Sequence, residues 1–193
     1  MKNTYLNTFL FIVLSILLFA CSDDYLPKPK GYFRIDLPEK AYRNYEAKCP
    51  LTFDAPEYSS VELFENKMSS DSCWFNIYFK RFNARLHCTY MPVKGDFDAL
   101  VRDAYGFAIS HEVKASALKR TAIQDTERKV YGMIYDIEGD AASQLQFFVT
   151  DSTNHFFRGS LYFYNPPNPD SIAPVLQFLK ADIVRLVNTM KWR

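Results

Sequence analysis

Two alternating runs, CWFNIYF from Cys73 to Phe79 and ARLHCTYMPV from Ala84 to Val93, constrain the fold most. Successive strand side chains point to opposite faces, so Phe75, Ile77 and Phe79 lie on one side and Asn76, Tyr78 and Lys80 on the other. In the second run Leu86, Cys88 and Tyr90 share the core face. The KRFNAR stretch between the runs is short enough for a hairpin loop, which makes them antiparallel neighbours. More strand-like runs flank this pair: PLTFDAP and SVELFE before it, and TAIQDTER, VYGMIYDIEG, SQLQFFVTD and HFFRGSLYFYN after it. Leu145, Phe147 and Val149 oppose Gln146, Phe148 and Thr150, while Phe157, Leu161 and Phe163 oppose Arg158, Ser160 and Tyr162. Phe33, Ile35 and Leu37 alternate with Tyr32, Arg34 and Asp36, which predicts a short strand ending before Pro38. Aromatic residues make up 17% of the chain, a frequency suited to a sheet core and its cross-strand pairs.

Two segments carry the helical period instead. Phe97, Leu100, Val101, Ala104, Tyr105, Ala108 and Ile109 recur every three or four residues and predict a helix over about 96–117, capped by Asp96 and weakened at Gly106. Ile172, Val175, Leu176, Leu179, Ile183, Leu186, Val187 and Met190 predict a second helix over 170–190, capped by Asp170 or Ser171. The prolines of NPPNPDS end the preceding strand, and TDSTNH reads as a turn. Strands linked by short turns with two covering helices give an α+β fold, a mainly antiparallel sheet in a single domain over 31–193. The order of strands, helix, strands and closing helix resembles the PsbP-like sandwich.

The N-terminus has a different logic. FLFIVLSILLFA, Phe9 to Ala20, is apolar except for Ser15, too short for the roughly 20 residues a membrane span requires. It suits the apolar region of a secretory signal peptide over 1–20. The junction LLFACSDD resembles a bacterial lipobox: Ala20 is the small residue before the scissile bond and Cys21 the thiol that receives diacylglycerol, although Phe19 is bulkier than usual. Acyl chains on Cys21 would hold the protein at a bilayer, each methylene contributing about 0.8 kcal/mol. Ser22 resembles the signal for outer-membrane sorting, and Ser22, Asp23 and Asp24 resemble a short acidic export tag. The expected location is the cell envelope, lipid-anchored at the outer membrane, on its periplasmic face rather than the cell surface. SDDYLPKPK reads as a Pro-stiffened tether completing residues 21–30.

Removal of 1–20 takes away Lys2 alone among the charged residues and leaves 22 basic against 22 acidic, so no basic field is available for nucleic acid. With Cys21 assigned to lipid, Cys49, Cys73 and Cys88 remain. An odd set in an exported protein means one pair and a leftover thiol, or no pair; Cys49 with Cys73 is the favoured pair. His87, His111 and His155 lack metal-ligand spacing, and His87 cannot activate Cys88 because strand neighbours face opposite ways. Asp136 and Glu138 share a strand face at two-residue spacing, the arrangement of a paired-carboxylate acid–base site, but an alternating strand of this kind is usually just half solvated. No metal, cofactor or catalytic set is expected, and the chain reads as a protein that is not an enzyme.

The strings CSDDYLPKPKGYFRIDLPEKAY, KCPLTF and SCWFNIYF resemble the gliding motility lipoprotein family GldD of Bacteroidota over nearly the whole length. The resemblance implies an envelope lipoprotein required for gliding, with palmitate and diacylglycerol on Cys21, in the company of machinery that also supports type IX secretion. Its expected partners are the membrane and other gliding or secretion proteins, contacted through strand faces bearing Arg158, Tyr162 and Tyr164. The alternative is a small-ligand or glycan-binding envelope lipoprotein whose aromatics line a pocket. The two differ in whether aromatic residues on the polar strand faces converge on one cleft.

Overall fold

The computed structural model describes residues 34–64, 71–110, 115–139, 141–164 and 169–193; the leader, Cys21, Ser22, Asp23, Asp24 and the tether lie outside them. Ten strands occur in the described residues: β1 Tyr42–Glu46, β2 Leu51–Pro56, β3 Ser60–Phe64, β4 Cys73–Phe79, β5 Ala84–Pro92, β6 Ala115–Asp125, β7 Val130–Gly139, β8 Ser143–Thr150, β9 His155–Phe163 and β10 Lys191–Trp192. Two α-helices accompany them, α1 Phe97–Ser110 and α2 Pro169–Thr189. The strands form a seven-stranded sheet in the order β3-β4-β5-β9-β8-β7-β6 and a three-stranded sheet in the order β1-β2-β10, with antiparallel pairing throughout. Residues Ile35–Arg193 make one compact α+β unit.

Strand parity sorts the large sheet into two faces. Phe75, Ile77, Leu86, Cys88, Leu145, Phe147, Val149, Phe157 and Leu161 turn to one face, where Leu179, Ile183, Leu186 and Val187 of α2 and Leu51 and Phe53 of the small sheet complete the main core. Burial of side chains this size contributes about 1.5–3 kcal/mol each. Gly159 pairs with Phe147, and a methyl group there would lie 2.4 Å from the Phe147 ring, so the glycine gives that ring its space. On the opposite face, Ala104 and Ala108 let α1 approach closely, and it packs with Leu100 and Val101 on Tyr135, Phe148 and Phe156.

Asp182 of α2, 1% exposed, joins the helix to the small sheet. Its carboxylate accepts hydrogen bonds from Lys40 Nζ at 2.5 Å, Tyr42 Oη at 2.7 Å and Tyr58 Oη. Burial, then the bond to Asp182, pushes the Tyr42 phenol up to about 12 and raises Tyr58 still further, so both remain protonated donors. At the other end of α2, the Arg128 guanidinium donates to the carbonyls of Val187 and Met190 at 3.3 and 3.0 Å while held by Asp125 at 2.8 Å. A helix end leaves such carbonyls unpaired, so Arg128 works as a cap supplied by the β6–β7 turn.

Several sequence expectations shift. The alternating segment at Ile35 and Leu37 is not a strand: 34–40 carries no regular structure and both side chains are exposed, because alternation makes a strand only where a ladder partner exists. The first helix runs unbroken through Gly106 and ends at Ser110, and Ala115–Ala117, expected in the helix, begin the edge strand β6. Strands β1 and β10, unmarked by alternation, exist through pairing to β2.

Asp182→Ala leaves three donors without their acceptor. It is expected to lower stability by about 3 kcal/mol in urea unfolding, equivalent to about 6–12 °C in Tm. Unchanged stability would show that the cluster does not pin the small sheet.

Candidate functional site: a cleft on the open sheet face

Among the described residues, the sheet face that carries α1 is covered only in part. Beyond the helix, β5, β9 and β8 present Arg85, His87 and Thr89, then Arg158, Ser160 and Tyr162, then Gln146. Between this surface and the flank of α1 lies a cleft of about 420 Å³, lined among others by His87, Tyr135, Gln146, Arg158, Ser160, Tyr162, Tyr164 and Phe107. Its size falls within the range of small-molecule sites. The aromatic side chains on the polar strand faces thus converge on one cleft, with Phe107 of α1 as the opposite wall.

A hydrogen-bonded chain fixes one rim. Arg85 Nε donates to Glu62 Oε2 at 3.2 Å, and Asn76 Nδ2 donates to the same oxygen at 3.5 Å. That orientation turns Asn76 Oδ1 toward His87 Nδ1, 2.7 Å away. An amide oxygen can only accept, so Nδ1 carries the hydrogen and Nε2 accepts from the Tyr164 hydroxyl at 2.8 Å. Burial, then the nearby Arg85 charge, hold the His87 pKa below its ordinary value, with Glu62 opposing them. The neutral imidazole is the form that can accept from Tyr164. The Arg85 guanidinium also lies over the Tyr78 ring at 4.0 Å and the Tyr164 ring at 5.2 Å, which steadies that tyrosine although it is 51% exposed.

The floor is different in character. Arg158 stacks its guanidinium over the Phe107 ring at 4.5 Å, and burial depresses its pKa, while Asp103 and Tyr162 act through space in the opposite sense. Among the described residues Arg158 makes no hydrogen bond or ion pair. Gln146 beside it is 4% exposed, accepts from Ser160 Oγ at 3.5 Å, and leaves its buried Nε2 without an acceptor.

The residues singled out from the sequence fall in different places. Arg158, Tyr162 and Tyr164 meet in the cleft. Asp136 turns to the α2 face, where Lys180 contacts it at 2.7 Å, while Glu138 is exposed; neither lines the cleft. Cys49 and Cys73 meet with Cα atoms 6.0 Å apart, within the span a disulfide takes, and Cys88 is a buried free thiol. His155 bonds the Tyr90 hydroxyl at 2.8 Å and stacks on Trp192, and His111 lies outside the described residues. Among the described residues no set of three His, Cys, Asp or Glu side chains is placed to hold a metal ion, and no helix is long and apolar enough to cross a membrane. His87, Gln146, Tyr135 and Phe107 join the cleft without a motif that marks them in the sequence, although strand parity sets His87 on the face of Arg85 and Gln146 on that of Phe148.

Fold and cleft together define an α+β module with one sheet face sealed and the other open over a preformed hollow. Residues 22–192 match the family model for the gliding motility lipoprotein GldD, and the chain belongs to that family. Comparison with curated proteins gives no match.

The lowered His87 pKa has a sign. The folded state binds fewer protons than the unfolded chain below the ordinary imidazole value of 6.5, so stability is full above it and declines as pH falls from there toward the lower folded value. Melting temperatures between pH 7.5 and 5.5 are expected to fall less steeply for His87→Gln than for the unsubstituted protein. Identical slopes would remove the neutral-imidazole account.

Proposed function

We propose that this gliding motility lipoprotein is a non-catalytic component or stabiliser of the gliding and type IX secretion machinery, held by acyl chains on Cys21 to the periplasmic face of the outer membrane. Residues 1–20 are removed as the signal peptide, Ser22, Asp23 and Asp24 direct sorting, and 21–30 serve as the tether. The family match over residues 22–192 is the observation that carries this reading. The open sheet face is the contact surface, since the opposite face is filled by α2 and the small sheet. A second reading, recognition of a small ligand or glycan, is favoured by one observation: Tyr135, Tyr162, Tyr164 and Phe107 line the same cleft as Arg158.

Deletion of the gene is expected to abolish colony spreading, and a Cys21→Ala form to fail to restore it while partitioning away from membranes. Full spreading with the unacylated form would end the anchoring reading.

We also propose that Cys49 and Cys73 form a disulfide in the oxidising periplasm, tying the β1–β2 turn to β4 across a sequence separation of 24. A loop of that size corresponds to about 3–4 kcal/mol in the chain-entropy account. Non-reducing alkylation and mass spectrometry should find Cys88 alone modified, and only after denaturation; three modified thiols would refute the pair.

A further inference from the structure

Building on the ligand-binding reading of the cleft, we infer that its floor is a carboxylate site: Arg158 and Gln146 receive the carboxylate of an acidic sugar whose ring lies against Phe107 and the tyrosines. The fold leaves two donors unused. A guanidinium offers five N–H groups in a planar fork matched to a carboxylate, and Arg158 spends none of them on a described residue. Gln146 is buried with its Nε2 lacking an acceptor, and buried amide groups are normally satisfied. Gln146 lines the cleft, and with its Oε1 accepting from Ser160 Oγ at 3.5 Å, Nε2 is the end that lacks a partner.

Charge selects the kind of anion. Among the described residues Arg158 is the one permanently charged side chain lining the cleft. His87 sits in its bonds to Asn76 and Tyr164 as neutral imidazole, and Arg85 is paired with Glu62. Exposed Asp103 on α1 further limits the positive potential. One guanidinium neutralises a monoanion and leaves a phosphate dianion with unbalanced charge in a partly desolvated place. The walls select the body of the ligand. Aromatic faces with hydroxyl edges, Tyr135, Tyr162 and Tyr164, suit a ring that has apolar C–H faces and a hydroxylated rim. The volume of about 420 Å³ accommodates a single sugar ring.

The full-length chain, purified in detergent, is titrated calorimetrically with glucuronate, glucose, glucose 6-phosphate and trialanine. Glucuronate is expected to bind at least tenfold more tightly than the other three. Arg158→Gln and Gln146→Glu should each weaken it at least tenfold. Phe107→Ala, a change at a residue 50% exposed and therefore compatible with folding, should weaken it several-fold. Absence of glucuronate binding, equal affinity for glucose, or unchanged affinity in Phe107→Ala and Arg158→Gln would overturn the inference. Tighter binding of glucose 6-phosphate would replace it with a phosphate site, and tighter binding of trialanine with a peptide C-terminus site. Calorimetry needs no motility and the Cys21→Ala complementation needs no cleft, so the ligand and anchoring readings stand or fall separately.

Discussion

A wide sheet covered on one side by too short a helix governs this molecule. Seven strands about 4.8 Å apart span about 29 Å, whereas a helix of 14 residues is about 21 Å long and about 10 Å wide. The α1 helix therefore cannot cover the face on which it lies. It packs Ala104 and Ala108 on Phe148, Phe156 and one side of Tyr135, and beyond that contact the polar ends of β5 and β9 stay open among the described residues. Small residues on the helix matter here, because close approach of α1 to the sheet turns a flat polar surface into a hollow with Phe107 as its wall.

The opposite face gives this hollow its rigidity. A helix of 21 residues and a three-stranded sheet cover it together, and the two are joined through a buried carboxylate, Asp182. Capping by Arg128 at the helix end and the pairing of β10 with β2 carry the same restraint to the C-terminus. The strands that hold Arg158 and Gln146 have core residues as immediate neighbours: Phe157 and Gly159 beside the first, Leu145 and Phe147 beside the second. Moving either polar side chain along its strand would displace a close-packed neighbour on the sealed face, so the cleft geometry follows from the core.

Much of this could be read from the sequence, and what could not has definite causes. Period-two alternation placed Phe75, Leu86, Phe147 and Leu161 on the sealed face and Arg158 and Tyr162 on the other, because parity is a local property. The stripe from Ile172 to Met190 likewise reported α2 directly. Parity alone could not show that Phe148 and Phe156, on the polar side of their strands, belong to a second core under α1. Nor could it supply ladder partners: the described part of the alternating segment, RIDL at 34–37, carries no regular structure, whereas YRNYE, polar and unpatterned, is a strand because β2 lies beside it. The first helix, expected to reach residue 117, stops short for a related reason, since Ala115 and Ala117 pair with Gly139 and Glu138 at the edge of the sheet. In the cleft, Arg158 and the tyrosines drew notice by type, whereas Gln146 is conspicuous only through its burial.

Long-range electrostatics does little for recognition by such a molecule. The formal net charge of the chain is +1, which gives no field to steer ligands from a distance beyond the screening length of about 8 Å at physiological salt. On the proposed ligand reading, selectivity arises at contact, where the local environment differs most from water. Arg158 has already lost part of its hydration to Phe107 and the sheet in the folded state. An arriving anion meets a cation whose desolvation cost was included in folding, with hydrogen-bond donors in place before it comes. The same burial penalises any uncharged occupant, which would leave the guanidinium neither hydrated nor paired. A neutral ligand and an anionic one that differ by a single carboxylate are thus separated by the environment of one side chain, set by a short helix lying on a wide sheet.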